Sequence, residues 1–153
     1  MISPVEAQFK LSLAAASSWP QRFSNERWAD GLTLSDGDLP VAADGTPAPC
    51  IEAEVIAGNV RATVCKAGSR VMQRLGLFHL YLSVAQGTGV TTINAQSDAL
   101  ITFFTRTALL NDSLTLSVLR TIDVRIDDGI ASYEEGNRFC RLVSIAWEYT
   151  YLA

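Results

Sequence analysis

The chain has 153 residues, of which 48% are hydrophobic and 18% charged, and it carries a formal charge of −4 at pH 7. This length supplies one domain that buries roughly 68 to 70% of its unfolded surface, and the high apolar content excludes general disorder. Lys and Arg are scattered along an acidic sequence, which argues against sequence-specific nucleic-acid binding, while the low charge content suggests that partner chains cover some apolar surface.

The first predicted element is a helix from about Pro4 to Ser17. Ser3 is a suitable N-cap and Pro4 suits the first helical position. Apolar residues follow at steps of four: Val5, Phe9 and Leu13. Trp19-Pro20 ends the helix, because the residue before a proline is disfavoured in the α conformation.

No targeting or membrane-spanning segment is predicted. The start of the chain lacks a basic region, and the apolar run at Leu11 to Ala16 is short, so we expect no signal peptide. Nothing approaches the ~18 consecutive apolar residues of a membrane span. Three widely spaced cysteines without a CxxC pair, Cys50, Cys65 and Cys140, suggest neither a disulfide framework nor a zinc site, and a reducing cytoplasm fits them best.

The segment from Thr33 to Pro49 is predicted to be a long, exposed and flexible loop. It is rich in Ser, Asp, Gly, Pro and Ala, with turn signals at Asp36-Gly37-Asp38 and Asp44-Gly45. Its aspartates lack the ligand spacing of a calcium-binding EF-hand, so the loop is interpreted as solvated.

Strands are predicted next, from alternation of apolar and polar residues at 51–55, 60–64 and 77–85. Gly58-Asn59 is either a hairpin turn or a bulge; a hairpin would bring Glu54 near Arg61. Along 77–85 one face is purely apolar and the other carries His79, Tyr81 and Ser83. We expect that second face to meet water or another subunit.

The remainder predicts one helix and two long strands. The helix runs from Thr91 to Arg106 with an apolar stripe that packs on the sheet. Alternation at 116–126 and 139–151 predicts the two strands. Each has one arginine in its apolar series, Arg120 or Arg141. Either arginine could lie at a strand end or a subunit boundary, or extend its side chain so that the guanidinium reaches water. Together the elements predict a single α+β domain over residues 1–153, with a mostly antiparallel sheet of four to five strands flanked by two helices.

No catalytic, metal or cofactor residues are predicted. His79 is the only histidine, and no GxSxG sequence accompanies it. The turn Gln86-Gly87-Thr88-Gly89 follows a strand and precedes a helix, yet it lacks both the full GxGxxG and the Walker Lys-Ser/Thr. We interpret its glycines as residues that permit positive φ in a tight turn. Asp127-Asp128 and Glu134-Glu135 are in turn-like sequence, where carboxylates are normally solvated.

Several segments, in this order, resemble the tail terminator family of long-tailed bacteriophages, which includes the minor tail protein U of phage lambda and gene-transfer-agent proteins. Trp19-Pro20-Gln21-Arg22-Phe23-Ser24-Asn25 is similar to the family's Trp-Pro-Asn segment. Gly76 to Val84 followed by Gln86-Gly87-Thr88-Gly89 resembles its junction of strand, Gly-x-Gly and helix. The helix from Thr91 to Arg106 and a final strand with Trp147, Tyr149 and Tyr151 complete the order. The loop from Thr33 to Pro49 departs from the family pattern.

The resemblance implies a structural virion protein without a cofactor or an enzymatic activity. It implies a homo-hexameric ring on the head-proximal end of the tail, assembled in the host cytoplasm. The ring stops growth of the tail tube protein and docks the head-tail connector, and DNA passes through its pore without sequence-specific binding. A head-completion or neck protein is the alternative within virions, and a small ligand-binding module or hydrolase that uses the Gly87 turn is the alternative outside them.

The interface residues are predicted from exposure, because loops on a rigid sheet are where partners usually bind. The predicted projections are the turn after the 77–85 strand, the segment from Asp127 to Glu135, and the loop from Thr33 to Pro49. The individual candidates are Gln86, Gly87, Thr88, Gly89, Asp127, Asp128, Glu134 and Glu135.

Overall fold

The computed structural model describes residues 4–23, 33–35, 39–66, 69–87, 90–105, 109–112, 117–126, 133–135 and 138–152. Within them there are two helices, α1 (Pro4–Ala16) and α2 (Val90–Phe104). The strands are β1 (Gln21–Phe23), β2 (Thr33–Ser35), β3 (Leu39–Val41), β4 (Cys50–Lys66), β5 (Ser69–Ala85), β6 (Leu110–Asp112), β7 (Ser117–Ile126), β8 (Tyr133–Glu135) and β9 (Arg138–Leu152). Both helix predictions are confirmed, within the one or two residues by which helix ends commonly differ.

Six strands of one curled sheet lie side by side in the order β1-β4-β5-β9-β7-β6, and β8 also pairs with β9. β1 is parallel to β4, and the other pairings in this sheet are antiparallel. The predicted α+β class and mostly antiparallel sheet are confirmed, but the prediction of four to five strands is wrong. The additional strands β1, β6 and β8 have three residues each, too few to show an alternating pattern.

Both helices pack on one face of this sheet. Phe9 of α1 stacks on Phe78 of β5 with 4.2 Å between ring centroids, and Phe104 of α2 meets Phe78 edge-on at 5.9 Å. Trp147 of β9 contacts Phe9 at 6.1 Å. All four side chains are buried, and each such burial contributes about 1.5 to 3 kcal/mol. The apolar stripes predicted for the helices therefore do face the sheet.

β4 is one continuous strand with a bulge, not a hairpin. The register against β5 shifts between Ala57 and Val60, and a Cβ added to Gly58 would lie 2.7 Å from the carbonyl oxygen of Leu75. Only glycine fits so close to the neighbouring backbone. The bulge alternative is confirmed, so the hairpin that would have brought Glu54 near Arg61 is not formed: Glu54 pairs in register with His79, and Arg61 with Gln73.

The predicted exposed loop contains ordered pairing. β2 and β3 form an antiparallel pair, and Pro40 and Val41 are buried. Arg138 of β9, only 3% exposed, donates hydrogen bonds to the carbonyl oxygens of Pro40 and, at 2.8 Å, of Ala48. The prediction of exposure is wrong for residues 40 and 41, because loop-like composition does not reveal a donor that lies 98 residues further along the chain. The flexibility of the 33–49 segment stays a prediction.

Candidate assembly surfaces

The predicted interface residues that the structure describes lie at one end of the sheet. Gln86 and Gly87 are exposed and directly follow β5, and Gly87 has a φ of +82°. Ala85 of β5 pairs with Arg138, which pairs on its other side with Glu135 of β8. The turn after β5 and the strand of Glu134 and Glu135 are therefore near one another.

The structure does not describe the side chains of the other candidates. Thr88, Gly89, Asp127 and Asp128 lie outside the described residues. For Glu134 and Glu135 the structure describes the backbone of β8 and not the side chains. Their assignment to an interface stays a prediction.

The sheet has a second face, opposite the helices. Its end at Cys50, Ser83 and Cys140 is buried, and we call the remaining part, from the row of His79 past Leu75 to the ends of β4 and β5, the open face. In register across β4, β5, β9 and β7, one row holds Glu54, His79, Ser144 and Arg125, and the next holds Ile56, Leu77, Ala146 and Asp123. The apolar side chains Ile56, Leu75 and Leu77 remain 40%, 40% and 38% exposed. Large apolar side chains grouped on a surface commonly mark a site of protein contact.

His79 lies on this open face. Its Nδ1 is 3.4 Å from the hydroxyl of Tyr81, and the two rings meet edge-to-face with 6.0 Å between centroids. In backbone register its neighbours are Glu54 and Ser144. The imidazole and the phenol thus form an aromatic pair at the surface. Among the described residues, no other nucleophilic side chain is hydrogen-bonded to the imidazole.

The two arginines noted in the sequence have separate surroundings. Arg120 is exposed and donates to a carboxylate oxygen of Glu148 at 3.0 Å. Burial raises the pKa of Glu148, but hydrogen bonds from Arg120, Gln73 and Thr150 outweigh it, so that the pKa is lowered overall. Arg141 is half-buried on the helix side and donates to the side-chain oxygen of Asn94 in α2. Arg141 thus links the sheet to α2.

The sequence did not reveal a buried polar cluster around Arg138. Besides the two carbonyls, its guanidinium donates to Ser83 Oγ at 3.1 Å and lies 3.5 Å from Cys50 Sγ, which is 3.0 Å from the same Oγ. Burial raises the pKa of the Cys50 thiol despite the nearby guanidinium, so the thiol is protonated at neutral pH. We interpret the cluster as a clamp that holds the β3 segment on the sheet, since its donors and acceptors satisfy one another.

In the described parts of the chain, no three His, Cys, Asp or Glu residues are close enough to hold a metal ion. In the same ranges neither helix has the length and apolarity to cross a bilayer. A shallow groove of about 410 Å³ lies between the helices, lined by Ala15, Ala16, Asp98, Ala99, Thr102 and Phe103.

No known protein family and no curated protein sequence matches the chain. Chains of solved structures match its fold. One of them aligns over 96% of this chain and 96% of its own length, with a TM-score of 0.58 and 12% sequence identity. At this identity the likeness shows the fold alone. The class that fold and sheet define is a single-domain α+β protein with one helix-covered and one partly open sheet face.

Proposed function

We propose that the chain is a structural virion protein that caps the head-proximal end of a phage tail tube. Copies of it form a ring that ends tube polymerisation and presents a docking surface to the head. The proposal takes its identity from the resemblance of segments described above, and it assigns the protein no enzymatic activity and no cofactor.

The observation that carries the proposal is the open face. Single exposed apolar side chains are ordinary in folded domains, but Ile56, Leu75 and Leu77 group on one exposed face of the long β4-β5 pair. A capping protein needs such a broad, rigid surface because it must bind the end of a tube without any small-molecule site. A sheet supports that surface more rigidly than a loop does.

In this proposal the open face contacts the tail tube protein. The turn at Gln86 and Gly87, together with β8, lies at the end of β5 away from Leu75 and Leu77 and is assigned to the head-tail connector. DNA then passes through the ring without sequence-specific contacts, as expected for a chain with a formal charge of −4.

The test is tube capping with purified tail tube protein. We expect the wild-type chain to limit tube length when it is added during polymerisation. Leu77→Glu places a charge in the apolar patch and should abolish capping, whereas Asp44→Ser, at an exposed turn between β3 and β4, should cap normally. A chain that neither binds tube ends nor limits tube length would refute the proposal.

Complementation separates a terminator from a neck protein. Loss of a terminator leaves overlong or unfinished tails, whereas loss of a neck protein leaves finished tails that are not joined to heads. A mutant that lacks the protein and still makes finished tails would show that the protein is a neck protein and not a terminator.

A further inference from the structure

The distal ends of β4 and β5 extend beyond the helices. We call residues 60–66 and 69–75 the arm. The helix-covered region ends near Gly76 and Trp147, which are backbone partners. Because side chains alternate along a strand, the residues two, four and six positions further out point to the same side as Trp147, as do their partners in register. This surface, the arm face, consists of Val60, Arg70, Met72, Arg74, Tyr149 and Tyr151.

The arm has an unusual charge. From Val55 to Ser97 the sequence contains no Asp or Glu, while Arg61, Lys66, Arg70 and Arg74 all lie there. The other 110 residues contain all sixteen acidic residues and eight of the twelve basic ones, a formal charge of −8 against +4. Four of the twelve basic residues thus lie on one hairpin in a stretch of sequence that has no acidic residue.

The cations of the arm face are not neutralised within the described chain. Arg70 is exposed and Arg74 is half-buried, and neither side chain forms an ion pair or a hydrogen bond with the described residues. The Nε of Arg74 is buried without a hydrogen-bond partner there. A partly buried guanidinium that lacks acceptors costs free energy, and a carboxylate from another molecule would lower that cost.

Two tyrosines complete the arm face. The rings of Tyr149 and Tyr151 stack with 5.1 Å between centroids and an angle of 22°. Both are half-buried, and Tyr149 packs against the margin of the core. Tyr, Met and Arg are enriched in the centres of protein interfaces, and rings already held by stacking lose little conformational entropy on binding.

We propose that the arm face is a contact to a second copy of this chain, which it binds through that copy's acidic surface. Charge complementarity identifies the occupant, because every carboxylate side chain of the protein lies outside the arm region. The contact joins two different surfaces, and such contacts generate rings when the rotation closes. The inference rests on the self-assembly in the proposed function and adds the surface that mediates it.

Single-stranded nucleic acid fits this surface less well. A stacking platform needs ring faces that are free for bases, and here the two tyrosines stack on each other. The −8 charge on the rest of the chain would also repel phosphates.

The experiment measures the assembly state of the purified chain by light scattering, at increasing sodium chloride. We expect wild-type multimers that dissociate as salt screens the contact. The double variant Arg70→Glu, Arg74→Glu should weaken association on the order of 100-fold, since it places like charges in the interface. Tyr151→Ser tests the apolar part without a charge change. The matched control, Arg61→Glu with Arg125→Glu, makes the same charge change at two exposed arginines on the open face and should assemble normally.

Each result decides the inference. A wild-type chain that stays monomeric at low salt overturns both the arm contact and the ring. Multimers that persist equally in the arm variants, folded by circular dichroism, overturn the arm contact and leave the ring and the tube-capping assay intact. The wild-type chain could instead bind a single-stranded DNA oligonucleotide while the arm variants do not, with assembly unchanged. That result would show that the arm face binds nucleic acid and not a second copy.

Discussion

Trp147 and Gly76 are backbone partners on β9 and β5, and the indole lies across the glycine. A Cβ at position 76 would overlap both the Cζ2 atom of Trp147 and the carbonyl oxygen of Ile56. Trp147 is 1% exposed and contacts Phe9, so it has no free space to move into. The glycine therefore allows the largest core side chain to lie flat against the sheet.

Gly76→Ala should destabilise the protein by about 2 to 3 kcal/mol, the usual cost of overpacking a core. Chemical denaturation monitored by tryptophan fluorescence measures this change. The variant should also show an altered emission of the native state, because the indole is displaced. Unchanged stability would mean that the ring does not occupy the space over Gly76.

Gly87→Ala should cost about 1 kcal/mol for a different reason. The φ of +82° disfavours any residue with a Cβ, while no neighbouring atom lies within 4 Å of the added group. Gly87→Asn should cost less, because Asn tolerates the left-handed conformation. The same denaturation assay compares them, and equal losses for both variants would contradict the role of backbone conformation.

Arg138→Leu should lower the free energy of unfolding by about 3 kcal/mol, because buried carbonyls lose charged donors. The loss should be local as well as global. The amides of Ala42 and Ala48, which are bonded to Thr46 and Pro40, should exchange hydrogen faster. The exposed control Arg125→Leu should change stability by no more than about 0.5 kcal/mol. Unchanged exchange at both amides would show that Arg138 does not hold the β3 segment.

The Cys50 thiol gives a prediction at alkaline pH. Burial raises its pKa in the folded protein, so the folded state retains a proton that the unfolded chain releases. This contribution to stability is complete below the ordinary thiol pKa and is lost as the pH rises towards the raised value. Cys50→Ala should remove that part of the alkaline decline in unfolding free energy. Rapid alkylation of Cys50 in the native protein at neutral pH, measured by mass spectrometry, would contradict its burial.

Glu148 gives the opposite prediction at acid pH. Its pKa is lowered overall, since the hydrogen bonds from Arg120, Gln73 and Thr150 exceed the effect of burial. The stabilisation is present above the ordinary carboxyl pKa and is lost as the pH falls through the lowered one. Glu148→Gln should therefore flatten the acid limb of a plot of unfolding free energy against pH. A variant with the same acid limb as wild type would show that Glu148 does not titrate with folding.

Long elements were predictable from sequence and contacts between distant segments were not. The stripes of α1 and α2 and the alternation of β5, β7 and β9 reflect local periodicity, so their positions agree with the structure, except that β5 begins eight residues before the alternating 77–85 segment. Whether Gly58-Asn59 turns the chain depends on how closely the Leu75 carbonyl approaches, which local sequence does not encode. The burial of Arg138 was unpredictable for the same reason, because its hydrogen-bond acceptors come from β3 and the segment before β4.

The candidate surfaces were likewise predictable only where local alternation revealed them. The alternation around His79 predicted a second face that meets water or another subunit. His79 and Tyr81 are half-buried on that face, but Ser83 is buried and accepts a hydrogen bond from Arg138, so the prediction is wrong for Ser83. The basic arm was not predicted, because the basic residues were interpreted as scattered along the sequence. Arg61 and Arg70 come to lie on one hairpin only through the pairing of β4 with β5.

The position of β9 has a consequence for folding. It lies between β5 and β7 in the sheet but follows both in sequence. Until it is in place, its two neighbours have unpaired edges, the kind that bind other strands and aggregate. Its pairing with β5 joins residues as far apart as Val71 and Leu152, and such non-local pairing slows folding. Refolding yield should consequently fall with protein concentration, because intermolecular pairing competes with the insertion of one strand between two others.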